Sequence, residues 1–119
     1  MKITRVKISH DATVRLRGVQ GKTGLTPNIL LRVGFGLSLR DQSFLDPEKY
    51  PEDGQELNRY TITGEYDNGF VVLLKEWLSC NKKGNDDETM MNFFRAHLNR
   101  GAILLHMRVK SLTDLALLD

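Results

Sequence analysis

The sequence predicts a mainly α-helical, small single domain that opens with a strand–helix–helix unit and continues into a C-terminal helical part. Apolar residues recur at helical spacing along most of the chain, while strand-like alternation is confined to short runs. The length, 119 residues, is that of one domain, long enough to bury roughly 65% of its unfolded surface without disulfides or metal. Within this single domain the sequence divides into a basic unit at 2–40, an acidic loop region at 41–69 and a helical part at 70–119.

The run KITRVKI, Lys2–Ile8, alternates: Thr4, Val6 and Ile8 fall on one side, Ile3, Arg5 and Lys7 on the other. It reads as a short strand with a basic face. Ser9 suits the N-cap of a first helix, with Asp11 in its opening turn and Ala12, Leu16 and Val19 as its apolar stripe up to Gly21. Thr26-Pro27 then marks a new helix start, and Pro27 to Leu39 is apolar almost all round. Such a helix is buried on most sides, and in so small a domain a partner subunit is expected to cover part of it. Gly34 and Gly36 weaken it as a helix, which points to close approach of another backbone.

Asp46-Pro47, Tyr50-Pro51 and Asp53-Gly54 make the acidic stretch mostly loop, with Arg59–Thr63 as a short strand. Asp67 is placed to cap a third helix, where Phe70, Leu73, Leu74, Trp77 and Leu78 share one face up to about Asn81. After a Lys82-Lys83-Gly84 turn, Asp86 or Asp87 starts a fourth, carrying Met90, Met91, Phe94 and Leu98. Asn99-Arg100-Gly101 is a candidate bend or break ahead of Ile103, Leu104 and Met107. Ser111 and Asp114 have capping-box spacing for a last helix, Leu112–Leu118.

Charge is distributed unevenly. Residues 1–40 carry eight bases against Asp11 alone, a net of +7, whereas 41–70 carry eight acids against Lys49 and Arg59, a net of −6. The whole chain is only +2. A positive pole of this kind suits a polyanion. The strand–helix–helix order of 2–40 matches a ribbon-helix-helix unit, in which two chains pair their N-terminal strands and the ribbon enters a DNA major groove. On that reading Lys2, Arg5, Lys7, Arg15, Arg17 and Lys22 are the DNA-binding candidates, and backbone N–H groups around Thr26–Asn28 could hold a phosphate. Arg15 stands four residues after Asp11 and could be engaged in a helix-surface pair.

No catalytic set is legible. The acidic stretch lacks metal-ligand spacing, and the GKTG segment lacks the full phosphate-loop pattern. His97 reads as tucked or surface, and Cys80 as a packed thiol. His10, His97 and His106 are too dispersed for a local metal motif. The expectation is therefore no enzyme, no metal and no cofactor. A lone cysteine excludes an intramolecular disulfide and fits the cytoplasm. The basic N-terminus does not read as a signal peptide, and no apolar run suits a membrane span.

Three blocks carry a resemblance: KISHDATVRLRGVQGKTGLTPNILLRVGFGLSL, RYTITGEYDNGFVVLLKEWL and AHLNRGAILLHMRVKSLTDL. Within them LTPNILLRVGF, TGEYD and LNRGAILLHMRVKSL are the most specific. In order and length the chain resembles the DndE family of DNA sulfur modification proteins over essentially its whole extent. The resemblance implies a non-catalytic accessory subunit of DNA phosphorothioation, in which sulfur replaces a non-bridging phosphate oxygen. It further implies a DNA-binding homo-oligomer, a tetramer, preferring nicked duplex. Its expected partners are a cysteine desulfurase, a sulfur-transferring ATP-pyrophosphatase-like subunit and an ATPase. Gly21 and Gly24 bracket the inter-helix turn and are the candidate oligomerisation positions. The alternative from the residues alone is a ribbon-helix-helix transcriptional repressor.

Overall fold

The computed structural model describes residues 1–116 and confirms a mainly helical fold that opens with a strand and two helices. The strand is β1 (Arg5–Lys7), followed by α1 (His10–Thr23) and α2 (Pro27–Arg40). Ser9 caps α1 as expected, its hydroxyl accepting from the Ala12 N–H, and Gly24, at φ 74°, closes it through a bond to the Gln20 carbonyl. Thr26 stands at the N-cap of α2, but its side chain makes no capping bond there.

The ribbon differs from expectation. β1 pairs antiparallel with β2 (Glu56–Asn58) of the same chain, in the register Arg5↔Asn58, Val6↔Leu57, Lys7↔Glu56. Val6 and Leu57 face the core, and Arg5 and Lys7 face outward. A ribbon expected between two chains is thus present within one.

The run expected as a strand, Arg59–Thr63, is instead the short helix α3. The Asn58 side chain explains the change: its Oδ1 accepts from the N–H groups of Tyr60 and Thr61 and turns the chain into a helix directly after β2. A 3-10 turn at Gly64–Tyr66 leads into α4 (Asp67–Cys80). Asp67 begins α4 but does not cap it; its carboxylate binds Arg59 and Thr63.

The long helix α5 (Asp87–Arg108) is capped by Asp86 and runs unbroken through Asn99-Arg100-Gly101, where a bend was expected. Those three residues are buried and turned to three neighbours. Asn99 Oδ1 accepts from the Ser9 N–H at 2.8 Å. Arg100 donates to the carbonyls of Ser38, Asp41 and Ser43 at the C-terminus of α2, where the helix dipole favours a cation. Gly101 meets Gly34 backbone to backbone: a Cβ on Gly34 would stand 2.9 Å from the Gly101 carbonyl carbon. The close approach expected at both Gly34 and Gly36 is real only at Gly34, because a Cβ at Gly36 meets nothing within 4 Å.

Consequently α2, the most apolar helix, finds much of its cover inside the chain. Leu30, Leu31, Phe35 and Leu37 are buried chiefly by α5, and Phe35 packs on Phe70 and Phe94 at ring distances of 5.2 and 5.7 Å. Arg32, the one charged residue within the apolar run of α2, donates to the Ile62 and Thr61 carbonyls at the end of α3. The last helix, α6, spans Leu112–Leu115 with Ala116 as its C-cap; the last two residues of the expected Leu112–Leu118 lie outside the described residues. Its capping box is not formed: Ser111 makes no capping bond, and Asp114 accepts from the N–H of Lys110, the residue before the cap, instead of that of Ser111.

Candidate nucleic-acid interface

Folding reduces the charge split visible in the sequence. The acidic region is less a solvated loop than a set of partners for the rest of the chain. Asp53 accepts from the His10 N–H at 2.7 Å, which places its carboxylate at the N-terminus of α1. Glu56 accepts from Arg5 at 3.2 Å, Glu52 pairs with Arg95 at 3.5 Å, and Asp67 accepts two bonds from the buried Arg59. Arg59 also donates to the Met1 and Ile3 carbonyls, fixing the approach to β1.

The six candidate DNA-binding residues therefore fall on two elements with different surroundings. On the β1 side, Lys2 lies 4.0 Å from Asp87, Arg5 is paired with Glu56, and Lys7 is exposed opposite Glu56. Acids accompany all three. On α1, Arg17 and Lys22 are exposed and form no ion pair among the described residues. Arg15 is half-buried and pairs with Asp11 at 3.1 Å, the helix-surface pair its spacing allowed.

Two further groups join α1 from the end of α5 and the turn after it. His106 Nδ1 lies 3.5 Å from Arg15 Nη1, and the exposed Lys110 acts on the same ring, whereas Arg108 acts on Asp41 at the exit of α2. Burial, then the charges of Arg15, Lys22 and Lys110, hold the His106 imidazole below its usual proton affinity; Asp11 opposes them. Sequence reasoning misses this second contributor. Its signal is the run His106-Met107-Arg108-Val109-Lys110, which places a histidine and two cations at a helix end but is dominated by its apolar stripe.

Gly21 and Gly24, the oligomerisation candidates, are both exposed on the last turn and cap of α1, with nothing within 4 Å of a Cβ at either. Elsewhere, a groove of about 380 Å3 between the α2 exit and α4 is lined by Leu39, Ser43, Leu73, Glu76, Trp77 and Cys80. Cys80 is exposed there, not packed as expected, because it falls on the outer face of α4, and its thiol donates to Glu76 at 3.7 Å. His97 is tucked, fully buried against Phe35 and Trp77. Among the described residues no three His, Cys, Asp or Glu side chains gather into a metal-binding group, and no helix is long and apolar enough to cross a membrane.

Comparison with known proteins adds the context for this surface. The family model for the DNA sulphur modification protein DndE matches residues 5–113. The crystal structure of DndE from Escherichia coli B7A, involved in DNA phosphorothioation modification, superposes with a TM-score of 0.70 at 27% identity, covering 88% of this chain and 99% of that one. The crystal structure of a DndE G21/24K mutant involved in DNA phosphorothioation superposes with a TM-score of 0.69 at 23% identity over the same shares. No curated protein sequence matches the chain.

Proposed function

This chain belongs to the DndE family of DNA sulphur modification proteins, and from that premise we propose that it is the non-catalytic DNA-holding subunit of a phosphorothioation complex. The observation that carries this is the cation surface made by Arg15 and Lys22 of α1 with Lys110 just after α5, flanked by the exposed Arg17, where the only ion-paired acid among the described residues is Asp11. Lysine and arginine contacts of this kind bind phosphates and set position without reading bases. Chemistry on the DNA backbone needs such a component, because the reacting atoms are those of the phosphate itself. Lys2, Arg5 and Lys7 flank it as weaker contacts, since Asp87 and Glu56 already share their charge.

A homo-oligomer, a tetramer, would repeat this surface and hold a longer stretch of duplex. Gly21 and Gly24 are its proposed contact positions, offering a side-chain-free end of α1 to a neighbouring copy. Other subunits of the phosphorothioation complex are the proposed protein partners, and a nicked duplex the preferred DNA. A repressor reading loses its main support, since the ribbon it would form between two chains is formed within one.

Gel-shift titrations on unrelated duplexes, intact and nicked, across a salt series test this function. The expected result is sequence-independent binding that weakens steeply with salt, by about 0.9 in log–log slope for each phosphate neutralised, and is tighter to nicked DNA. A preference for a single operator, or salt-insensitive binding, would overturn it.

A further inference from the structure

The junction of α1 with the end of α5 gathers three cations around one imidazole. We propose that His106 is a proton-linked phosphate ligand: a DNA phosphodiester at this junction is bound by the His106 imidazolium together with Arg15, Lys22 and Lys110, so that binding takes up a proton. The inference rests on the reading of this surface as the one that holds DNA.

The geometry supplies both the seat and the switch. Gly18 leaves room for the ring on α1: a Cβ there would lie 3.5 Å from His106 Cδ2 and 3.7 Å from Nε2. On its other side Nδ1 faces Arg15 Nη1 at 3.5 Å. A guanidinium can only donate, so in the free protein Nδ1 is the acceptor and the ring proton sits on Nε2. Four charged groups act on the ring: Arg15, Lys22 and Asp11 from α1, and Lys110 from the turn after α5. Three are positive, and the one acid is already engaged, with Asp11 accepting from Arg15 Nε at 3.1 and 3.2 Å. A fourth positive charge is unwelcome in this setting until an anion arrives.

A phosphodiester reverses the balance. One negative charge within about 4–6 Å favours the imidazolium. By linkage, whatever factor the phosphate adds to proton affinity, the proton adds to phosphate affinity. Protonation comes from solvent and places a hydrogen on Nδ1, which then no longer accepts from Arg15. Arg15 Nη1 and His106 Nδ1 thereby become two adjacent donors, suited to the two non-bridging oxygens of one phosphate, while Arg15 keeps Asp11 through Nε. The other histidines do not compete for this role. His97 is sealed in the core, and His10 is the first residue of α1, ahead of the Arg15–Lys22 stretch on which His106 rests.

The test is the affinity of the full chain for a duplex of arbitrary sequence from pH 5.5 to 8.5 at constant ionic strength, with His106→Gln and His10→Gln beside it. Wild-type affinity is expected to fall as pH rises, by at most about tenfold per unit. His106→Gln should be flat across this range, and His10→Gln should keep the wild-type slope. Calorimetry of the wild-type complex in two buffers of different ionisation enthalpy at pH 7 reads proton uptake directly and requires no variant. Duplex binding with neither pH slope nor proton uptake overturns the inference but leaves the DNA-holding function standing. A slope that persists in His106→Gln also overturns it. No duplex binding at any pH overturns both.

Discussion

At the scale of single residues, the chain holds its fold with buried polar groups in defined protonation states. Arg100 Nε donates to Ser38 Oγ at 2.8 Å, so the Ser38 hydroxyl hydrogen points to His97 Nδ1 at 2.7 Å. His97 is therefore neutral with its proton on Nε2, an atom that has no conventional partner among the described residues. The Trp77 ring, 4.4 Å away and perpendicular, is the aromatic neighbour available to that N–H. Burial first, then the charge of Arg100, pushes the His97 pKa down to about 3. In the unfolded chain it returns to near 6.5, so protonation favours unfolding: stability is complete above pH 6.5 and is lost as pH falls toward 3, by about 1.4 kcal/mol per unit. Urea midpoints between pH 4 and 7 should show this slope, and His97→Asn, which keeps an acceptor for Ser38, should remove it. Asp67 acts in a lower window. Arg59 and Thr63 hold its carboxyl below the ordinary 3.8, so its contribution is present above that value and lost as pH falls through the depressed one. Asp67→Asn leaves the buried Arg59 charge unpaired and should cost roughly 3 kcal/mol at neutral pH, read from the same midpoints.

At the scale of elements, legibility follows the range of the forces involved. Ser9 capping α1, the Pro27 start of α2 and the Asp86 start of α5 are local signals and stand where the sequence put them. The β2–α3 segment misleads because RYTIT has β-forming residues, while the deciding atom is the Oδ1 of the residue before it. Asn99-Arg100-Gly101 resembles a break because polar residues and glycine weaken an isolated helix; tertiary partners on α1, α2 and the loop 41–43 override that. Two glycines of α2 make the same point and can be separated by experiment. Gly34→Ala gains up to about 1 kcal/mol of helix propensity but drives a methyl into the Gly101 backbone, an overpacking penalty of about 3 kcal/mol or more because backbone cannot swing aside. Gly36→Ala gains the same propensity with open space around it. Thermal unfolding should therefore show the first variant destabilised and the second unchanged or stabilised.

At the scale of the whole molecule, the question is what remains of the charge polarity after folding. The sequence shows +7 followed by −6, and read linearly the strongest positive element is β1 with α1. Antiparallel pairing of β1 with the acidic β2 cannot be seen in one sequence, because nothing local specifies which distant segment will supply the second strand. That pairing places Glu56 against Arg5 and opposite Lys7, so one of the two positive charges of β1 is offset by its own ribbon. The α1 surface keeps its charge and is extended by the end of α5, from the part of the chain with only a small net charge. The two candidate faces thus make opposite predictions under charge reversal. Arg17→Glu with Lys22→Glu should weaken duplex binding strongly and lower the magnitude of the salt slope by about two, one for each phosphate no longer neutralised. Lys7→Glu, with Arg5 left in its pair, should cost much less and lower the magnitude of the slope by at most about one. Gel shifts at several salt concentrations, with size-exclusion chromatography to confirm an unchanged assembly, decide between them. If the Lys7 variant binds more weakly than the α1 double variant, DNA lies along the ribbon and not on the cation surface of α1.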